Sequence, residues 1–194
     1  MNFLAHMLLS CKDADLMTGN FMADFIPKSF IDHLTPSVRL GIDLHRQIDS
    51  FTDQHPEVKA SVMIFRPTQR KYAPVVVDIV FDYLLTQHWG KYSAENIYTF
   101  TSRVYDTLDK KKDAFPPRLR ELLPKMIADD FLMSCSTEER LIKTFVHIKK
   151  RAKFDNHFDT AHQDLFDNYE AIDLHFNTFF PELMTDIHQF CDCN

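Results

Sequence analysis

"PSVRLGIDLHRQIDSFTDQ", residues 36–54, decides how this chain folds. Advancing about 100° per residue, Arg39, Asp43, Arg46, Gln47, Ser50 and Gln54 crowd one solvent-facing arc. Leu40, Leu44, Ile48 and Phe51 fall opposite, as in an amphipathic helix opened by Pro36 and closed before Pro56. His45, Asp49 and Asp53 belong to neither group. They share a stripe with Val38 and Ile42, each about one turn from the next. Charged groups so placed either hold each other or hold something else.

The same periodicity recurs on both sides, with the other prolines (Pro27, Pro67, Pro74, Pro116, Pro117, Pro124 and Pro181) read as helix boundaries. The pattern predicts helices over 2–10, 13–25, 36–54, 57–65, 68–89, 93–109, 117–132, 137–153, 157–176 and 178–190. Only three glycines are present, too few for a fold rich in tight β-hairpins. With 194 residues, 45% of them hydrophobic and eighteen of them phenylalanine, the chain can fill one substantial core. The expectation is an all-α, single-domain, multi-helix bundle over residues 1–194.

The net charge of −6 argues against nucleic acid or an anionic membrane as a partner of the whole surface. No run approaches the roughly 20 apolar residues needed to span a bilayer. "LLSC" (8–11) lacks the basic start and the uninterrupted apolar stretch of a lipoprotein signal. Cys11, Cys135, Cys191 and Cys193 show no zinc-like or disulfide framework, so a reducing cytoplasm is expected. The terminal "CDCN" reads as a frayed tail rather than a soft-metal site.

The stretch "VVVDIVFDYLLTQHW" (75–89) repeats the pattern of buried charge. Asp78 and Asp82 stack four apart, beside Val75, Phe81, Leu85 and Trp89. Two carboxylates on an apolar stripe repel each other and lose hydration. A divalent cation offsets both costs, and helix bundles build such sites from His and carboxylates at i, i+4 spacing. The donor types suit Mn, Fe, Zn or Mg, with the oxygen-rich count favouring Mn or Mg. The alternative is a buried network in which Arg46 neutralises the acids. Asp24 in "GNFMADF" (19–25) and His6 in "MNFLAHMLL" (1–9) are further candidates. Asp155, His157, Asp159 and His162, with His175 and His188, lie in more polar surroundings and read as a solvated surface.

Taken in order, "MNFLAH", "GNFMADF", "GIDLHRQIDSFTDQHPE", "DIVFDYLLTQHW" and "LHFNTFFPEL" resemble the successive signatures of the acyl carrier protein phosphodiesterase family. The resemblance covers nearly the full chain. It implies a hydrolase that removes 4′-phosphopantetheine from holo acyl carrier protein, with a helical fold distantly similar to HD-type metal phosphohydrolases. It also implies Mn²⁺ as cofactor, with Mg²⁺ or Fe²⁺ as alternatives. Carried over, Asp24, His45, Asp49, Asp78 and Asp82 are the expected metal ligands, and His6, Arg46 and Asp53 line the site. Asp53 would handle the water's proton and Arg46 would hold a phosphate oxygen. Tyr83 stands where the family often has His, and Phe131 where Trp is common. The adjacent His–Asp pair of the HD group is absent, since Arg46 follows His45. An acidic carrier protein would need a local basic face, for which 66–71, 110–112, Arg118 with Arg120, and 149–153 are candidates. A phosphohydrolase of small phosphate esters or nucleotides, or a non-catalytic helical interaction protein, remains open on the residues alone.

Overall fold

Helix starts in this protein are set by short polar caps and prolines, and the helices follow in quick succession. The computed structural model describes residues 2–190 and contains eleven α-helices, with no strand among the described residues. They are α1 (Phe3–Leu8), α2 (Ala14–Met22), α3 (Pro36–Gln54), α4 (Pro56–Gln69), α5 (Ala73–Gln87) and α6 (Trp89–Tyr92). After these come α7 (Ile97–Lys111), α8 (Pro117–Ala128), α9 (Glu138–Arg151), α10 (Ala161–Asp167) and α11 (Tyr169–Asp186). Asp13, Thr35, Asn96 and Thr137 cap α2, α3, α7 and α9 by accepting backbone N–H groups, and Pro36, Pro56 and Pro117 occupy first-turn positions.

The all-α architecture matches the expectation, and α3 has the bounds read from sequence. Three prolines do not. Pro67, Pro124 and Pro181 lie inside α4, α8 and α11. A helix held by packing tolerates the loss of one backbone hydrogen bond. The real breaks fall at Arg70, where φ is 53°, and at Asn168, so the expected division near 177 is replaced by one continuous α11.

Helix α5 is apolar on almost every side and runs through the interior, with Val76, Val77, Val80, Phe81, Leu84 and Leu85 fully buried. Against it α11 lays Phe176 and Phe179 on Phe81. At one end Phe3, Phe21, Phe25, Phe115 and Phe131 pack ring against ring, joining α1, α2 and the segments flanking α8.

Helices α2 and α3 form the most intimate contact, through Gly19 and Gly41. A β-carbon on Gly19 would lie 2.0 Å from the Val38 carbonyl oxygen, and one on Gly41 would lie 2.3 Å from that of Leu16. The stripe of Val38, Ile42 and His45 is therefore buried against α2, while Leu40, read as core, is 43% exposed. Among the described residues no helix is long and apolar enough to cross a membrane. Cys135 is a buried free thiol. Cys191 and Cys193, with the rest of "CDCN", lie outside the described residues.

Candidate metal centre

The close crossing of α2 on α3 decides what His45 and Asp49 meet. One turn apart on α3, they face Asn20 on α2 and Asp24 in the 3₁₀ turn Ala23–Phe25 that continues it. Helix α1 adds His6, whose ring stacks on that of His45 with centroids 4.3 Å apart. Asp49 stands 3.3 Å from His6 Nε2 through Oδ1 and 3.1 Å from His45 Nε2 through Oδ2. Asp24 Oδ1 lies 3.2 Å from the same His45 nitrogen.

Asn20, which the sequence reading passed over, fixes how both rings are turned. Its Nδ2 donates to the His6 carbonyl at 2.8 Å and to Ser10 Oγ at 2.9 Å, while Ser10 Oγ donates to the His6 carbonyl at 2.8 Å. That commits Asn20 Oδ1 to accepting, from His6 Nδ1 at 2.8 Å and His45 Nδ1 at 3.1 Å. The backbone oxygen of Asn20 also accepts from His45 Nδ1, at 3.0 Å. Each ring thus carries hydrogen on Nδ1, and each neutral ring points an Nε2 lone pair at the Asp49 carboxylate. Lone pairs facing carboxylate oxygens at these distances repel unless a proton or a cation lies between them.

The ionisation pattern follows from this geometry. Burial opposes charge on His45, but hydrogen bonds with Asp24 and Asp49 outweigh it and push its pKa up to about 9. Burial holds His6 below its ordinary value, and the neighbouring His45 adds to the effect. Burial would raise Asp49, yet its hydrogen bonds with His45 and His6 set it well below the usual carboxylate range. The hydrogen bond with His45 lowers Asp24 as well. Without an ion, two carboxylates face one imidazolium, leaving one uncompensated negative charge. A divalent cation replacing the His45 proton would bring the balance to zero.

The donor set fits a cation. Two ligands about 2.1 Å from a common ion, at angles of 90–109°, stand about 3.0–3.4 Å apart, the spacing that Asp49 keeps to both imidazoles. The His6, His45 and Asp49 donors all lie within 4.8 Å of one another. The imidazoles are buried, and Asn20 behind them supplies the outer hydrogen bonds that orient such ligands. Asp49 and Asp24 are 44% and 62% exposed at their side chains, so the centre opens outward on its acidic side.

Other expected residues lie elsewhere. Asp82 is buried, but its Oδ2 accepts the Leu4 N–H at 3.2 Å, at the start of α1. Position on an apolar stripe said that this acid would be buried, not what it would face. Asp78 is half-buried on the same helix and is not in the donor group. Arg46 is 53% exposed and pairs with Asp43 at 3.0 Å, so no guanidinium neutralises the acids in the way the alternative network required. Asp53 is exposed beyond the centre on α3. His55 caps α4 through Nδ1 and pairs with Glu182 at 3.1 Å through Nε2. At the C-terminal end Asp159 pairs with Lys149 and His175 with Glu57, and no second donor group of three or more is found among the described residues. Two signals would have exposed Asn20: an asparagine inside the apolar run "MTGNFM", and its place one turn before Asp24.

Comparison with known proteins bears on what this centre serves. The model of the family described as acyl carrier protein phosphodiesterase matches residues 1–183. A protein of Salmonella paratyphi A named acyl carrier protein phosphodiesterase is 31% identical over 192 residues, covering 95% of this chain and 96% of its own length. Proteins of the same name from Enterobacter sp. (strain 638) and Escherichia coli O45:K1 are each 29% identical over the same shares of both chains. No solved structure matches the chain significantly.

Proposed function

The chain belongs to the acyl carrier protein phosphodiesterase family, and from that premise we propose that it is a metal-dependent phosphodiester hydrolase releasing 4′-phosphopantetheine from holo acyl carrier protein. The observation that carries the metal dependence is the convergence of the His6 and His45 Nε2 atoms on the Asp49 carboxylate, with Asn20 behind both rings. Two buried imidazoles and a carboxylate on neighbouring helices are also the donor types of HD-type phosphohydrolases.

A divalent ion held by His6, His45 and Asp49 would offset charge on the phosphodiester and make a bound water more acidic. Mn²⁺ suits this mixed nitrogen and oxygen donor set. The chain's own groups do the rest. Asp24, ionised and largely exposed at the mouth, takes the proton of the attacking water in place of Asp53. Asn20 keeps both rings from turning as charge shifts. The water oxygen bonds to phosphorus as the bond to the carrier serine oxygen breaks, and the proton taken up by Asp24 passes to that oxygen, so the serine leaves as its free hydroxyl.

Docking of an acidic carrier needs basic groups near the mouth. Lys111, Lys112, Arg120 and Lys149 are already paired with Asp15, Asp109, Asp113 and Asp159. Arg118 and Lys125 on α8 are exposed, and α8 is bracketed by Phe115 and Phe131, both packed on Phe21 just before Asp24. That helix is the face we assign to the carrier. Reversing both charges should raise KM for the carrier and spare a small phosphodiester; equal loss on both would reject the assignment.

The decisive experiment is mass spectrometry of holo acyl carrier protein incubated with enzyme, with and without Mn²⁺. The proposal expects loss of the phosphopantetheine mass only when the ion is present. An unchanged carrier mass, or full turnover in chelator with metal-free enzyme, would refute it.

A further inference from the structure

Helix α1 carries His6 yet has only six residues, far below the length at which a helix holds itself together in water. Its first N–H groups therefore need outside acceptors. Asn2 Oδ1 takes the Phe3 N–H at 2.9 Å. The next, of Leu4, is taken by Asp82 Oδ2 at 3.2 Å. Asp82 projects from α5, most of whose residues are buried, and is itself 4% exposed. Its second oxygen, Oδ1, is buried without a hydrogen-bond partner. A fully apolar core would not keep such a group; its use lies in what Oδ2 holds. The acceptor grips Leu4, two residues before His6, whose ring has to meet Asn20 on one side and Asp49 on the other.

We propose that Asp82 is a positioning residue, which sets the His6 imidazole in the centre by anchoring the first turn of α1 to the core. It acts through the backbone of Leu4 and is not itself a ligand. The inference rests on the reading of His6, His45 and Asp49 as a metal centre.

The test compares Asp82→Asn, which keeps an oxygen acceptor, with Asp82→Ser, whose hydroxyl is too short to reach α1. Co²⁺ is titrated into the metal-free full-length proteins and followed by its visible absorption. In the same samples NMR follows hydrogen exchange at the Leu4 amide and the His6 Nδ1 proton. Asp82→Asn should bind Co²⁺ within about threefold of the wild type and Asp82→Ser at least about tenfold more weakly. Exchange should accelerate only in Asp82→Ser. Undiminished Co²⁺ affinity in Asp82→Ser overturns the proposal, and so does equal weakening in both variants, which would show that the charge matters rather than the acceptor. If Asp82→Ser does not fold, Asp82→Glu replaces it; that variant keeps the charge but displaces the acceptor, and is expected to weaken binding likewise. Failure of the wild type to bind Co²⁺ would sink the metal reading by itself. The His6 ring proton in metal-free protein would then still decide the role of Asp82: unchanged exchange in Asp82→Ser overturns it, accelerated exchange upholds it.

Discussion

Loading the centre with a divalent ion should expel about one proton, and that proton should come from His45. Held between Asp24 and Asp49, this imidazole keeps its charge up to about pH 9 in the metal-free protein. Between pH 6.5 and 8.0 an incoming ion must therefore displace a proton from nearly every molecule. His6, kept below its ordinary value by burial, has little to lose, and both carboxylates are already ionised. The apparent association constant should rise about tenfold per pH unit across this range. Over 1.5 units that amounts to about thirtyfold, or about 2 kcal/mol. Calorimetric titration of Mn²⁺ in buffers of different ionisation enthalpy counts the released protons directly. A flat affinity with no proton release would mean that His45 is neutral before the ion arrives, and the electrostatic account of the centre would fail. Release of two protons would mean that burial does not keep His6 uncharged.

Three more outcomes are expected. Asn20→Ala should weaken Mn²⁺ binding by about ten- to a hundredfold, because both rings lose the acceptor that orients them; the same titration measures it. Gly41→Ala should cost about 1–3 kcal/mol or more in urea denaturation, since its new methyl group would sit 2.3 Å from the Leu16 carbonyl oxygen. Gly90→Ala, with nothing within 4 Å, is the neutral control. Burial pushes Asp82 up to about 7. The folded chain thus retains a proton that the unfolded chain gives up above about pH 4. Stability from this group should fall as pH climbs from about 4 to 7, and urea midpoints across that range should lose this slope in Asp82→Asn.

Much of α3 could be read from its residues because helical spacing reports burial well. Leu44, Ile48, Val38 and Ile42 are buried, and Arg39, Asp43, Arg46 and Ser50 are exposed. Spacing does not say which neighbour covers a buried face. That is why His45 and Asp49 could be picked out as unusual, while Asp82, on an equally apolar stripe, turned out to face the backbone of α1. Asn20 escaped for a related reason: an amide carries no charge to attract attention, and its role exists only once α1 and α3 both reach it. The interior prolines misled because a boundary preference is local, whereas packing along α11 extends through Pro181.

The outward tilt of the acids has a kinetic consequence. The imidazoles sit deep and the carboxylates of Asp24 and Asp49 rim the entrance, so a metal-free mouth presents anions to anything that approaches. A phosphodiester would be turned away by that rim until a cation had neutralised it. On the proposed metal-dependent reading, the order of binding would be ion before substrate. Steady-state patterns should show carrier protein docking on ion-free molecules without being turned over.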